Sequence, residues 1–154
     1  MKKIVLDKKQ ICEYQQNRDP YLMIDFATEI IPGVSAKGYK DLTEKDWFFK
    51  VHWPGDPNMP GMLQIEALVQ MSSLAILTLP NNKGKIMYLV SSDKIKFIKK
   101  ILPNSRLNLE SKIKQFKRGI ASCEGYGFVN NELACKAEFN LILPEEIKQY
   151  NLKK

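Results

Sequence analysis

Residues 61–78, GMLQIEALVQMSSLAILT, constrain the fold more than any other stretch of the chain. Apolar side chains stand at 62, 63, 65, 67, 68, 69, 71, 74, 75, 76 and 77, so a helix here is apolar on almost every side. Pro60-Gly61 begins it, and Pro80 with Asn81-Asn82 ends it, since proline cannot continue a helix. Gln64, Glu66, Gln70, Ser72 and Ser73 break the apolar run, which makes it a poor membrane span and a good buried helix. Such a helix must be covered all round.

The covering is written in the rest of the chain. Residues 7–17 read as a short N-terminal helix with Ile11 and Tyr14 on its packing side. YLMIDFATEII and VSAKGYKDL read as strands joined at Pro32-Gly33, and residues 43–46 as one helical turn before Trp47. IMYLV, DKIKFIKKI, RLNLESKIKQF, IASCEGYGFV and LACKAEFNLIL follow as strands. Ser91-Ser92, Pro103-Asn104, Arg118-Gly119 and Asn130-Asn131 are the turns between them. The period-two alternation at residues 94–97 and 112–114 predicts strands that bury one face and wet the other. The expectation is one α+β domain over residues 1–154. Its long central helix is wrapped by a curved antiparallel sheet of about six strands, and a basic C-terminal tail occupies about 145–154.

Charge and cysteine usage narrow the function. Of 24 Lys and Arg, ten lie between residues 85 and 118 beside only two acids, while the other fourteen face fifteen acids. The excess positive charge is thus confined to one third of the chain, which suggests an acidic partner or a solvated face. Cys12, Cys123 and Cys135 are odd in number and lack CxxC spacing, which argues against a disulfide framework or a zinc site. The apolar run at residues 4–6 is too short for a signal peptide. A cytoplasmic protein without membrane insertion is expected.

One constellation carries chemistry. The single histidine, His52, sits in VHWPGDPNMPGMLQIEALVQ, a loop stiffened by Pro54, Pro57 and Pro60 that feeds the helix N-terminus. The N–H groups of Gly61 and Met62 have no intrahelical partner, so with the helix dipole they form an oxyanion site. Glu66, Gln70 and Ser73 fall on one stripe at i, i+4 and i+7. A carboxyl in an apolar helix is expected to have a raised pKa, as a general acid needs, and Gln70 is placed to orient it. Taken singly, a histidine beside a tryptophan is often a packed side chain, and a glutamate early in a helix often faces solvent. Together, base, oxyanion donors and acid make a kit for removing a proton α to a carbonyl and expelling a β-hydroxyl.

HWPGDPNMPGMLQIEALVQ resembles the signature of the 3-hydroxyacyl-acyl-carrier-protein dehydratases of the hot-dog superfamily, whose FabZ-type members read H-F-P-G-x-P-x-M-P-G-x-L-x-x-E-A-x-x-Q. A weaker likeness runs from RDPYLMID to SSDKIKF and into the strands beyond, over roughly residues 10–143. The resemblance implies a hot-dog fold and a homodimer, with a trimer of dimers left open. The active site would lie between subunits, with His from one and Glu from the other. It implies that His52 takes the α-proton of a (3R)-3-hydroxyacyl thioester, that Glu66 protonates the leaving hydroxyl, and that the product is a trans-2-enoyl thioester. Fatty-acid or related acyl-chain biosynthesis is the implied setting. No cofactor and no metal are implied. The acyl carrier protein, which is acidic, would be the partner of the basic third, with Lys94, Lys96, Lys99, Lys100 and Arg106 as candidate docking residues.

The chain departs from that signature at Trp53, where Phe is usual, and at Val51, where Gly is usual. WFFKVH and the GDP of PGDP are similar to the FabA-type branch, which also isomerises its product. That branch, however, has Asp at the position of Glu66 and Cys at the position of Met62. A hot-dog thioesterase and a non-catalytic carrier-binding paralogue are the alternatives. Nucleic acid is not an expected partner, since the basic stretch has no RNA-binding motif and interleaves only Phe97 and Phe116 among its basic residues.

Overall fold

The computed structural model describes residues 1–153. Seven strands form one antiparallel sheet: β1 (Ile4–Asp7), β2 (Phe26–Ile31), β3 (Ser35–Leu42), β4 (Tyr88–Phe97), β5 (Ser105–Lys117), β6 (Ile120–Val129) and β7 (Glu132–Ile142). Their order across the sheet is β1-β2-β3-β5-β6-β7-β4. The helices are α1 (Lys8–Tyr14), α2 (Trp47–Val51), α3 (Gly61–Leu77) and α4 (Pro144–Leu152), the last over most of the segment read as a tail.

The sheet curls around α3, whose residues 67–77 are all buried. Two glycines let helix and sheet meet. A Cβ on Gly38 of β3 would lie 2.1 Å from the Phe26 carbonyl oxygen and 2.6 Å from Met71; one on Gly125 of β6 would lie 2.8 Å from Leu68. The hairpins close on left-handed pairs, Arg118-Gly119 and Asn130-Asn131, each with φ between 50° and 79°.

Besides α4 and the end of α1 at Tyr14 in place of residue 17, where Gln15 turns extended, the structure departs from the sequence reading in four further places. The first strand candidate begins only at Phe26. Residues 22–24 are buried without being a strand, because Gln70 of α3 bonds their backbone: Met23 N–H donates to Gln70 Oε1 at 2.8 Å, and Gln70 Nε2 donates to the Tyr21 carbonyl at 2.9 Å. The turn at residues 43–46 is held by the Asp46 side chain, which accepts from the Thr43 N–H, and the helical turn follows it as α2. β1, at four residues, is the extra strand; Asp7 ends it and caps α1 in a reciprocal pair with Gln10.

The fourth departure concerns β4. The segments expected as two strands split at Ser91-Ser92 form one strand, with irregular register at Leu89/Ser91 and at Asp93/Lys96 absorbing the extra residues. It does not bury one face. Tyr88, Leu89, Val90, Ile95 and Phe97 are all exposed, because β4 is an edge strand paired only with β7, and only Phe97 at its end meets the start of α3, at Gly61.

Candidate active site

α2 places the histidine. Phe48 and Phe49 are buried with ring centroids 4.7 Å apart, which fixes this short helix to the core. His52 follows as its C-cap, its N–H donating to the Phe48 carbonyl at 2.9 Å. Trp53 turns the chain with a φ of 53° and stacks on the imidazole, centroids 4.6 Å apart. The loop beyond is pinned rather than loose. Met59 is fully buried and its N–H donates to the Ile101 carbonyl, while Ile101 N–H donates to Asn58 Oδ1, both at 2.8 Å. Gln64 Nε2 donates to the Met59 carbonyl at 2.7 Å, tying the loop to the first turn of α3.

These contacts set His52 and Gly61 on one cleft of 460 Å³, with Trp53, Asn58 and Phe97 on its walls. The first helical bonds run from the Leu63 and Gln64 N–H groups to the Pro60 carbonyl, so the N–H groups of Gly61 and Met62 precede the bonded ladder. Phe97 of β4 packs on Gly61 so closely that a Cβ there would sit 2.7 Å from its ring. Met62 is 72% exposed.

Glu66 is not part of that cleft. It lies five residues beyond Gly61, which turns it about 140° around the helix. There it is half-buried, accepts from Gln70 Nε2 at 2.9 Å, and is close enough to Tyr21 that its charge, after burial, helps raise the phenol pKa. Within one chain, His52 and Glu66 therefore stand on different sides of the start of α3.

The five basic candidates separate as well. Lys99 and Lys100 line the His52 cleft, paired with Glu132 and, at 2.5 Å, with Asp56. Lys94 and Lys96 lie on β4, with Lys94 3.4 Å from Glu138. Arg106 lies on β5, where it binds both oxygens of Asp41 and covers the Tyr39 ring at 3.7 Å. Asn58, Gln64, Phe97 and Tyr21 were not singled out from the sequence. Each acts through a partner 36 or more residues away or through a loop carbonyl, and no local pattern marks it.

Comparison with known proteins follows from this geometry. The FabA-like domain family matches residues 16–138. The 3-hydroxyacyl-[acyl-carrier-protein] dehydratase FabZ of Bacillus licheniformis is 36% identical over 142 residues, covering 92% of this chain and 99% of its own. The FabZ protein of Alkaliphilus metalliredigens is 38% identical over 145 residues, covering 93% and 99%. Among solved structures, the dehydratase heterocomplex ApeI:P of Xenorhabdus doucetiae superposes with a TM-score of 0.76 at 12% identity, over 91% of this chain and 95% of that one. A hypothetical thioesterase of Streptococcus pneumoniae with coenzyme A gives 0.58 at 15% identity, over 73% and 80%. The likeness to these structures is one of fold, the hot-dog fold.

Proposed function

Because this chain belongs to the FabA-like domain family, we propose a division of labour for its reaction in which His52 is the base and Glu66 the acid. The reaction is dehydration of 3-hydroxyacyl thioesters on acyl carrier protein in fatty-acid biosynthesis, and the enzyme is a 3-hydroxyacyl-acyl-carrier-protein dehydratase. His52 takes the C2 proton, and that electron pair forms the C2–C3 double bond. The C3–O bond breaks, and Glu66 supplies the proton with which the hydroxyl leaves as water. The N–H groups of Gly61 and Met62 stabilise the charge that develops on the thioester oxygen. Gln70, donating to one carboxylate oxygen, aims Glu66.

One observation carries this assignment: His52 shares a cleft with Gly61, while Glu66 faces the other way. A second copy of the chain brings the two together. The exposed edge of β4 supports a homodimer, since an uncovered strand with five exposed apolar side chains seeks a partner. In that pairing Glu66 of one protomer meets His52 of its partner. Lys94, Lys96, Lys99, Lys100 and Arg106 offer the charge that an acidic carrier protein would dock against. No helix among the described residues is long and apolar enough to cross a membrane. We place the enzyme in the cytoplasm, where its three unpaired cysteines stay reduced.

The test is hydration of a 2-enoyl thioester, followed by ultraviolet absorbance on carrier protein and on coenzyme A. His52→Ala and Glu66→Gln are each expected to lower kcat by about 10²-fold or more; full activity in either removes the role given to that residue. Thiol release without hydration would establish a thioesterase instead. Charge reversal at Lys96 and Lys99 is expected to weaken the carrier-bound substrate alone, and an equal loss on both substrates would remove the docking surface.

A further inference from the structure

Among the described residues, one charged residue is buried: Lys40 of β3, 6% exposed. Its ammonium lies 3.5 Å from Asp25 Oδ1 and 3.8 Å from Asp46 Oδ1. Stability is a poor account of it. Taking an ammonium out of water is costly, and an apolar side chain of similar volume often packs in such a place at no loss. What an ion cluster supplies instead is a fixed geometry between the elements it joins.

The elements joined here lead to both members of the catalytic pair. Asp46 heads α2 as its N-cap. Its carbonyl accepts from the Phe49 N–H at 3.2 Å, and its Oδ2 accepts from the Thr43 N–H at 2.7 Å. α2 has five residues, too few to hold itself as a helix, and His52 is its C-cap. Asp25 follows the segment in which Gln70 bonds Tyr21 and Met23, and Gln70 also donates to Glu66. The Asp25 Oδ2 accepts from the Asp41 N–H at 2.8 Å, and Lys8 bridges Asp25 to Asp19. One neutral contact runs beside the ion cluster, from Trp47 Nε1 to the Pro20 carbonyl at 3.3 Å. Lys40 thus stands between the helix that ends on His52 and the segment that Gln70 ties to Glu66.

We propose that Lys40 is a positioning residue for the dehydration: held between Asp25 and Asp46, its ammonium fixes α2, and through it the His52 imidazole, relative to the segment that orients Glu66. It acts through these neighbours and not on the substrate. In the homodimer, where His52 of one protomer meets Glu66 of its partner, one Lys40 steadies half of each site. The proposal rests on the roles given to His52 and Glu66, and the wild-type assay separates their failure from its own.

Lys40→Met keeps the reach of the side chain and removes its charge. Asp46→Asn keeps an oxygen for the Thr43 N–H and removes the ion pair. Both variants and the double are assayed for 2-enoyl thioester hydration, and hydrogen exchange is followed at the Phe49 and His52 N–H groups and across α3. Each single variant is expected to lower kcat by about tenfold or more, with KM changed by less than about twofold. The double is expected to be no slower than Lys40→Met, because both changes break one contact. Exchange is expected to quicken at Phe49 and His52 while α3 keeps its protection. Wild-type kcat in a folded Lys40→Met overturns the proposal, as do losses that multiply in the double. Exchange that quickens equally in α2 and α3 overturns it too, since Lys40 would then serve stability alone. If Lys40→Met fails to fold, wild-type kcat in Asp46→Asn overturns the proposal. A wild type that hydrates no enoyl thioester overturns the dehydratase reading and this role with it.

Discussion

Trp53 holds a left-handed backbone, which is costly for an aromatic L-residue, and its ring lies on His52. The stack restricts the imidazole on a loop that proline already stiffens, so the departure from Phe at this position changes the wall beside His52 and leaves the imidazole in place. A second residue-scale feature is electrostatic. The hydrogen bonds from Arg106 hold the Asp41 carboxyl below its usual range, and the Arg106 charge adds to them. A depressed folded pKa stabilises the protein above the unfolded value of about 3.9, and that contribution is lost as pH falls through the lower folded value. Both side chains are half exposed, so screening keeps the effect within about 1 kcal/mol. Asp41→Asn is therefore expected to be less stable than wild type in urea at pH 7, with the gap closing in acid below the carboxylate range. A gap that persists in acid would mean that the pair acts through packing.

At the scale of the element, α3 is the piece on which everything is hung. Its first turn offers free N–H groups to the His52 cleft, its far side carries Glu66, and Gln70 clamps the backbone of residues 21–23. Its seat on the sheet depends on the missing side chains at Gly38 and Gly125. Gly38→Ala would drive a methyl into the Phe26 carbonyl and the Met71 side chain, where backbone cannot yield cheaply. A loss of about 3 kcal/mol or more is expected in denaturant unfolding; a loss under about 1 kcal/mol would show that β3 slides to accommodate it.

For the whole molecule, the exposed apolar edge of β4 is the decisive feature. The sheet ends there with Val90 and Phe97 more than half exposed, beside the cleft that His52 lines. Sedimentation of the full chain is expected to give twice the 17.8 kDa protomer mass, or a multiple of that dimer. Val90→Lys is expected to shift the population to monomer and lower activity together. A monomer with full activity would break the link between the β4 edge and the catalytic pair.

Much of this was legible before any coordinates. The all-round apolar helix, the Pro-Gly start, the asparagine hairpin turn and the His-to-Glu spacing are local, and local chemistry writes them in adjacent residues. Gln70 bonding the backbone 49 residues earlier and Phe97 against Gly61 are long-range pairings with no periodic trace. The sequence by itself determined which groups are available and that the central helix must be wrapped. Only the tertiary structure decided which groups meet, because a turn of about 140° between Gly61 and Glu66 points Glu66 away from the cleft that Gly61 shares with His52. It also left the apolar side chains of β4 exposed, because this strand closes the sheet with a partner on one side alone.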